Sequence, residues 1–436
     1  MTIPQPGGRS ARIVLTTVGT LGDLHPFIAV GLALKKRGHR PLLAVAQDHL
    51  AKVSAAGLEC APVLPSFDTV RERMGLSEDA AVKRVMSDQK YMLEEVVLPW
   101  LDTSTGALDA LTADADVLVG SMFVFGGPTV AEKRGIPMVS VVLQPMALLS
   151  AYRPPHTPDF WMMKGEPTTA VGVGWNRFAY ALIRAHVRRR YDPMINVIRA
   201  GYGLGPSRDP CLFEIGPQTN LTLCCYSPLF GPTPPDAPAP IAVTGFPVFD
   251  SETGGAAQAL DPDLAAFLAK GPAPLVFTLG SFAVYAPGNF YAEAAAAARR
   301  LGQRAVLLTG PGSNVAGDDD IFVLPYAPHS ALFPQASAII HHGGIGTTGQ
   351  ALRAGKPQLV VPHFGDQSDN GYRIKLMGLG RVLASRRFTA DRAARRIAKL
   401  IDPSLPYVAE AARIGALVAQ ENGAEAAADA IESVLR

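Results

Sequence analysis

The sequence predicts an α/β protein of two Rossmann-like domains, each built on its own parallel sheet, with the two sheets facing one another across a cleft. Short β-branched and apolar runs alternate with stretches of helical spacing, the pattern of parallel strands covered on both faces. The alternation occurs twice, and between the two series stand Pro228, Pro232, Pro234, Pro235, Pro238 and Pro240. At 436 residues the chain is too long for one ordinary core and suits two.

In the first half, residues 12–19 (RIVLTTVG) form a strand run that breaks at TLGD. Residues 24–36 then carry helical spacing through Phe27, Val30 and Leu34 until Gly38 stops it. Residues 41–46 predict a second strand, 48–56 a short helix and 59–64 a third strand. Residues 68–112 read as interrupted helix, and 117–121 and 138–143 as buried strands separated by a short helix through 131–134. Residues 144–174 have no period and are rich in Pro, Gly, Met and aromatics. Loops of that length inside a compact domain are usually functional, so a mobile substrate-side loop is expected. Residues 175–200 predict an amphipathic helix with Trp175, Phe178, Leu182 and Val187 near one face, and with Arg184, Arg188, Arg189 and Arg190. Such a basic cluster is either a solvated face or a contact with anionic lipid, so peripheral membrane contact stays open. Residues 220–227 supply the strand that precedes the prolines.

After residues 241–249 the alternation restarts with a strand at 275–279, a helix near 289–301, and strands at 305–309, 321–324 and 338–340. A helix opening at Thr347 and Thr348, a strand at 359–361 and helices beyond Thr389, including 424–435, complete the second half.

Composition excludes several classes of function. With 48% apolar and 18% charged residues the chain reads as globular, and a formal charge of +2 gives no electrostatic footprint for nucleic acid. The uncharged run 135–152 contains Pro137 and Pro145 and reads as a strand plus a loop rather than a membrane span. Residues 1–10 are polar and Pro/Gly-rich without a secretory pattern, and Cys60, Cys211, Cys224 and Cys225 have no C-x-x-C spacing. Together these predict core thiols in a cytoplasmic protein.

The densest chemistry lies at 335–370, QASAIIHHGGIGTTGQALRAGKPQLVVPHFGDQSDN. A strand leads into His341 and His342, then Gly343, Gly344 and Gly346, then a helix, and the next strand ends in His363, Asp366, Gln367 and Asn370. Glycines admit close approach of a ligand to the backbone. A helix N-terminus offers unpaired N–H groups and a positive dipole end, so the stretch suits a diphosphate. A strand, glycine turn and helix recur in every parallel α/β protein; the paired histidines and the polar cluster make this one specific. Ligands bind at the carboxyl ends of strands in such sheets. In the second half those ends also carry Gly280, Ser281, Thr309, Gly310, Pro325 and Tyr326, and in the first half residues 19–25 and Ser121. A nucleotide on one wall and its reaction partner on the other is the natural arrangement.

These residues resemble the signature of the family 1 nucleotide-sugar glycosyltransferases, which have the GT-B fold. That signature opens on an aromatic residue with Ala-Pro, passes through His-x-Gly and ends in Asp-Gln followed by Asn. Here it is Tyr326, Ala327 and Pro328, then His342 on to Thr347, then Asp366, Gln367 and Asn370. The His-His-Gly-Gly run is most similar to a bacterial branch that includes the B subunit of the rhamnolipid-forming rhamnosyltransferases and the sterol-type enzymes, and the resemblance covers essentially the whole chain. It implies that Tyr326 flanks a uracil or thymine ring. It also implies that His342 and the N–H groups of Gly344, Ile345, Gly346 and Thr347 hold the diphosphate, with Ser281 and the Thr347 hydroxyl assisting, and that Asp366 and Gln367 bind sugar hydroxyls. Gln350 stands where many relatives have a ribose-binding Glu, and His329 replaces a usual Gln. Gln350 can exchange a hydrogen bond with ribose but cannot make a charged bidentate contact.

The resemblance further implies inversion by direct displacement, which needs a base on the acceptor hydroxyl and stabilisation of the departing diphosphate. Asp23, in Gly22-Asp23-Leu24-His25-Pro26, takes the base position, with His25 as runner-up, and a helix N-cap is the competing structural role for Asp23. The domains are then an acceptor-binding unit at 1–230, a Pro-rich linker at 231–250 and a nucleotide-sugar unit at 251–415. A final helix at 416–436 is open to packing back on the first domain. The donor would bind an open form, and reaction would bring Asp23 across the cleft.

The expected activity is transfer of a hexose from a UDP- or dTDP-sugar to a hydroxyl of a small hydrophobic acceptor, a lipid, sterol or aromatic aglycone. Met146, Leu148, Tyr152, Phe160, Trp161, Met162 and Met163 supply apolar surface on that side. No cofactor beyond the nucleotide-sugar co-substrate and no metal are expected. Asp114 and Asp116 have D-x-D spacing but precede a buried strand, 318–320 lies in a Gly/Asp loop, and adjacent histidines lack the i, i+4 spacing of a helical zinc pair. No G-x-S-x-G elbow points to a hydrolase, and the turn at 19–23 lacks the third glycine of a dinucleotide fingerprint. The alternatives are a nucleotide-sugar epimerase of the same fold and a non-catalytic nucleotide-sugar-binding partner subunit, the latter disfavoured by Asp23. Nothing in the sequence sets an oligomeric state.

Overall fold

The computed structural model describes residues 10–207, 212–213, 215–216, 218–251, 259–310 and 315–436; Cys211 and residues 1–9, which entered the compartment reading, lie outside them. Seven strands form the first sheet: β1 (Arg12–Thr16), β2 (Arg40–Ala46), β3 (Glu59–Leu64), β4 (Val117–Ser121), β5 (Met138–Val142), β6 (Thr219–Cys224) and β7 (Ile241–Val243), in the order β3-β2-β1-β4-β5-β6-β7. Six form the second: β8 (Leu275–Thr278), β9 (Ala305–Leu308), β10 (Ile321–Leu324), β11 (Ala338–His341), β12 (Gln358–Val360) and β13 (Gly380–Val382), in the order β10-β9-β8-β11-β12-β13. Every pairing is parallel. Ile13, Val14 and Leu15 in β1 and Ile339 and Ile340 in β11 are wholly buried, as strands covered on both faces must be.

The first sheet carries helices α1 (Leu21–Lys36), α2 (Leu50–Ala55), α3 (Phe67–Met74), α4 (Glu78–Ser87), α5 (Gln89–Tyr91), α6 (Leu101–Leu111), α7 (Gly127–Arg134) and the long α8 (Ala170–Gly201). The second carries α9 (Pro262–Ala269), α10 (Phe290–Arg300), α11 (His329–Leu332), α12 (Ile345–Arg353), α13 (Gln367–Leu376) and α14 (Ala390–Ile401), followed by α15 (Tyr407–Val418) and α16 (Gly423–Val434). Strand order reverses between β1 and β4 and again between β8 and β11. A crevice opens at the carboxyl end of such a switch point. The turn after β1 is residues 17–20, and the turns after β8 and β11 begin at residues 279 and 342, so both singled-out stretches stand at switch points. The crevices face each other, and α1 and α12 come together at their first turns: a Cβ on Gly346 would lie 3.9 Å from Gly22 Cα.

Four details depart from the sequence reading. β7 lies inside the stretch read as linker and pairs with β6, so the prolines precede the last strand of the first sheet; three residues are too few to show a period. α12 opens at Ile345, two residues early, because Gly344 takes the extended N-cap conformation. α8 opens at Ala170, where the Thr169 hydroxyl accepts the Gly172 N–H at 3.2 Å. The loop before α8 is tied to both domains rather than loose. Asp236 accepts the Ala151 N–H at 2.8 Å, Asn176 accepts the Lys164 N–H at 2.8 Å, and Asp369 of α13 accepts the His156 N–H at 2.9 Å. The His156 ring also stacks on Tyr372, 3.8 Å between centroids.

The chain ends on the first domain. Ala427, Ala428 and Ile431 of α16 are fully buried in the same cluster as Leu24, Phe27 and Leu34 of α1. Arg37 at the end of α1 bonds Glu425 at 2.8 Å and Asp429 at 2.5 Å. These pairs are partly solvated and contribute little beside the apolar contact. Ile431→Ala is therefore expected to lower unfolding free energy by about 3 kcal/mol in urea titration. A loss near zero would mean that α16 merely covers the surface.

Candidate active site

The facing sheet edges enclose a cavity of about 1720 Å³ lined from both domains. On the second-domain wall, His342 follows β11 with its imidazole between two glycines. A Cβ on Gly280, whose φ is +70°, would lie 2.4 Å from the imidazole Cε1, and one on Gly344 would lie 2.4 Å from Nε2. Only hydrogen at both positions leaves room for the ring. Burial drives the His342 pKa well below the usual histidine range, and Nδ1 is buried without a partner, so the ring is a neutral hydrogen-bonding group rather than a fixed cation. Next to it α12 begins without a side-chain cap, leaving its first-turn N–H groups open to a ligand. Gly344, Ile345, Gly346, Thr347, Gln350 and Ser281 all line this wall, and Ile345 also packs its side chain against the cores of both domains.

His341 braces the turn instead of facing the cavity: it is fully buried, its Nε2 lies 2.9 Å from Gln358 Oε1 and its Nδ1 accepts the Gly343 N–H at 3.1 Å. Asn370, which closes the signature, is likewise fully buried and is not among the residues that line the cavity. Its Nδ2 donates to the Gly343 carbonyl at 2.9 Å and to Asp366 Oδ2 at 2.6 Å, so it fixes the glycine turn to the start of α13. Asp366 does face the cavity. Burial raises its carboxyl to about 7 against the pull of the Asn370 bond, and the charge of Asp23 across the cleft raises it further. Gln367 Oε1 accepts the N–H groups of His363 at 2.8 Å and Phe364 at 3.2 Å, so its amide can offer a ligand only Nε2. Tyr326 is held through its hydroxyl, which donates to Asp250 Oδ1 at 3.0 Å.

On the first-domain wall, Asp23 sits in the first turn of α1 and its Oδ2 accepts the Thr20 N–H at 2.9 Å. Thr20, not Asp23, is the N-cap, and Asp23 reaches back to it as the third helical residue of a capping box. The carboxyl keeps surface on the cavity, yet desolvation holds it up at about 6. His25 also reaches the cavity, but its Nε2 is buried without a partner, its ring stands edge-on to Phe249 at 5.5 Å, and burial together with nearby Lys52 lowers it to about 3. A carboxylate titrating near 6 is suited to accept a proton near neutral pH; an imidazole titrating near 3 is a much weaker base.

Asp250, His49 and Lys52 were not singled out in the sequence. Asp250 also accepts the Ser330 N–H at 2.6 Å, His49 Nε2 lies 3.0 Å from the Gly19 carbonyl, and Lys52 Nζ donates to the Ser251 carbonyl at 3.0 Å. No motif marks them; each bonds a backbone group brought near by the fold, and Asp250 the Tyr326 hydroxyl as well. The apolar wall also differs from expectation. Met146 and Phe160 of the loop line it, while Trp161 is 79% exposed. Met74, Leu93, Val97 and Trp100, from the stretch read only as interrupted helix, and Phe67 just before it supply much of the rest. Residues Met92–Val97 form one turn of wider, π-type pitch, a distortion common at functional sites.

The acidic runs lie elsewhere. Asp116 Oδ2 accepts the Arg12 N–H at 2.7 Å just ahead of β4, and Asp318 pairs with Arg299 at 2.6 Å just ahead of β10, both at strand starts rather than at the cleft. Among the described residues no group of three His, Cys, Asp or Glu side chains is placed to hold a metal ion.

The turns that carry Asp23 and His342 fall within matched family models. The model described as the glycosyltransferase family 28 N-terminal domain matches residues 13–152, and that described as the erythromycin biosynthesis protein CIII-like C-terminal domain matches 313–432. The vancomycin aglycone glucosyltransferase of Amycolatopsis orientalis is 30% identical over 376 residues, 85% of this chain and 85% of that protein. The O-mycaminosyltylonolide 6-deoxyallosyltransferase of Streptomyces fradiae is 30% identical over 445 residues, 97% of this chain and 97% of that one. Among solved structures, the glycosyltransferase VinC in complex with dTDP shares the fold with a TM-score of 0.66 at 19% identity, covering 97% of this chain and 99% of that one. The two Rossmann-like domains are those of the GT-B fold.

The glycine pair around His342 yields a direct test. Gly344 has φ −60°, which alanine adopts freely, so Gly344→Ala leaves the backbone unstrained and acts on the imidazole alone. Affinity for inorganic pyrophosphate, measured by titration calorimetry, is expected to fall about tenfold, or about 1.4 kcal/mol. Unchanged affinity would show that the His342 position does not govern anion binding.

Proposed function

The chain belongs to the glycosyltransferases that pair a family 28-type N-terminal domain with an EryCIII-like C-terminal domain, and from this premise we propose that it moves a hexose from a dTDP- or UDP-sugar to a hydroxyl of a hydrophobic acceptor, inverting the anomeric centre without a metal. The observation that carries the reading is the opposition of Asp23 on one wall to Asp366 and the α12 N-terminus on the other. The acceptor oxygen bonds to the anomeric carbon from the side opposite the diphosphate. Its proton passes to the Asp23 carboxylate as the bond from the anomeric carbon to the diphosphate oxygen breaks, and the electron pair leaves with the diphosphate. Charge then grows at the N–H groups of residues 344–347, where the helix dipole favours it, and the His342 ring can donate one hydrogen bond. Asp366 and the Gln367 amide nitrogen would meet sugar hydroxyls, Tyr326 the base and Gln350 the pentose.

Two observations favour dTDP over UDP. Gln350 can satisfy the lone 3′-hydroxyl of a deoxyribose with one neutral bond, whereas a ribose diol suits a carboxylate better. A fold neighbour is described in complex with dTDP. The aglycone and macrolide named for the relatives are bulky, in keeping with a large, mainly apolar cavity. The His-His-Gly-Gly run supports a place near the rhamnosyltransferase and sterol-type branch.

Asp23→Asn is expected to reduce transfer by about 10²- to 10⁴-fold while dTDP affinity stays within about threefold, as loss of a general base would require. If His25→Ala abolished transfer and Asp23→Asn did not, the base would be His25. Thermal-shift titration with dTDP and UDP tests the donor: stabilisation by neither would end this reading.

The pH dependence has a fixed sign. Asp23 must be ionised to accept a proton, and its folded pKa is raised from 3.8 to about 6, so kcat/KM should fall as pH drops through about 6. The raised value also means that stability falls as pH rises from about 4 to about 6, where the unfolded chain ionises this carboxyl and the folded one does not. Asp366 titrates nearby and is coupled to it, so the profile reports the pair. In Asp23→Asn the limb near 6 should vanish from the rate profile, and the stability profile should keep only the Asp366 contribution.

A further inference from the structure

Helix α8 has two apolar faces. Tyr180, Ile183, Val187 and Tyr191 line the cavity. On the opposite side Val171, Trp175, Phe178 and Leu182, at spacings of four, three and four, form a stripe that is 84%, 42%, 55% and 48% exposed. Trp161 extends it: it is 79% exposed, and the Trp175 indole donates to the carbonyl of neighbouring Met162 at 2.8 Å. Isolated apolar side chains on a surface need no explanation, but a contiguous row of five with two tryptophans does.

Charge identifies what covers it. α8 contains six arginines and a single carboxylate, Asp192, which is buried and paired with Arg188 at 3.1 Å. Arg177 and Arg189 are exposed outside the cavity, whereas Arg184 and Arg190 line the cavity and Arg190 pairs with Glu94 at 3.1 Å. Beside the stripe, Asp159 accepts from Gln89 at 2.8 Å and Glu166 pairs with Arg153 at 3.5 Å, so neither neutralises Arg177 or Arg189. Tryptophans and an aliphatic stripe bordered by arginines match the layered chemistry of an anionic bilayer surface, where indoles sit among headgroups and guanidiniums meet phosphates. A second copy fits poorly, since a two-fold contact centred on the stripe would set one arginine-rich helix against another. Among the described residues no helix is long and apolar enough to cross a membrane, so the contact is peripheral.

We propose that the outer face of α8, with Trp161, docks this protein on an anionic lipid surface, which places the other side of the same helix, a wall of the cavity, one helix diameter from the bilayer. The docking is independent of the transfer reading and is measured by binding alone. In flotation of the full-length protein, vesicles of phosphatidylcholine with phosphatidylglycerol should carry it, pure phosphatidylcholine much less, and added salt should release it. Trp161→Ser with Phe178→Ser, and separately Arg177→Glu with Arg189→Glu, should each weaken vesicle binding at least about tenfold, with melting temperature and dTDP binding unchanged because the side chains are exposed. Failure to bind phosphatidylglycerol vesicles, or binding untouched by both double variants, would overturn the proposal. So would a dimer in light scattering that Phe178→Ser dissolves, which would assign the face to a second copy.

Discussion

Two helices begin at the same place from opposite sides: α1 and α12 meet where Gly346 approaches Gly22. Each brings a positive dipole end and unpaired N–H groups, and two such ends in contact repel unless negative charge lies close by. At α1 that charge is internal, because the Asp23 carboxylate accepts the Thr20 N–H. At α12 no side chain caps the helix, and the neighbouring histidine is kept neutral by burial. The electrostatic deficit is thus concentrated on one side of the contact, and a dianion there satisfies both helices at once. The doubly wound sheets, the switch points and the domain interface all serve to hold these two ends in register.

The support behind α12 shows how that register is kept. His341 accepts the Gly343 N–H, Asn370 donates to the Gly343 carbonyl, and the same Asn370 amide reaches Asp366, so the glycine turn is tied to the start of α13. Further along α13, Asp369 accepts Arg373 at 2.7 Å and the His156 N–H from the first domain's long loop. A buried carboxylate with both oxygens engaged is stable only while both partners stay. The loop that contributes Met146 and Phe160 to the cavity is therefore fastened to the helix that begins beside Asp366, and Asp23 on the opposite wall lies near enough to raise the Asp366 carboxyl.

The alternation of strands and helices, the two switch points and the glycine turn were legible because each is written in local pattern: apolar runs, 3.6-residue spacing, and glycine where backbone must approach a ligand. What was not legible depends on distance in space. β7 is three residues of edge strand identifiable only by its pairing with β6. Asn370 has the right type and spacing for a ligand contact, and its burial behind the turn comes from how α13 packs. Leu93 and Val97 line the cavity from a distorted turn that no hydrophobic period encodes, and Phe67 and Trp100 join them there from separate elements. Trp161, a natural choice for an acceptor pocket on composition, points outward.

The apolar wall and the base are one physical feature. Burial strips water from the Asp23 carboxyl and holds it near 6, and the carboxyl borders the cavity proposed to take a hydrophobic acceptor. Entry of an acceptor removes more of that water, and a bound diphosphate adds negative charge nearby, so both substrates push the carboxyl further up. A higher pKa makes Asp23 a stronger base for the hydroxyl but leaves a smaller fraction ionised, and the two trends balance when the pKa approaches the working pH. Its bond from the Thr20 N–H opposes the rise, since it favours the ionised form. The capping contact and the catalytic role proposed for Asp23 are therefore compatible: the Thr20 N–H favours the ionised carboxylate that the proposed base requires.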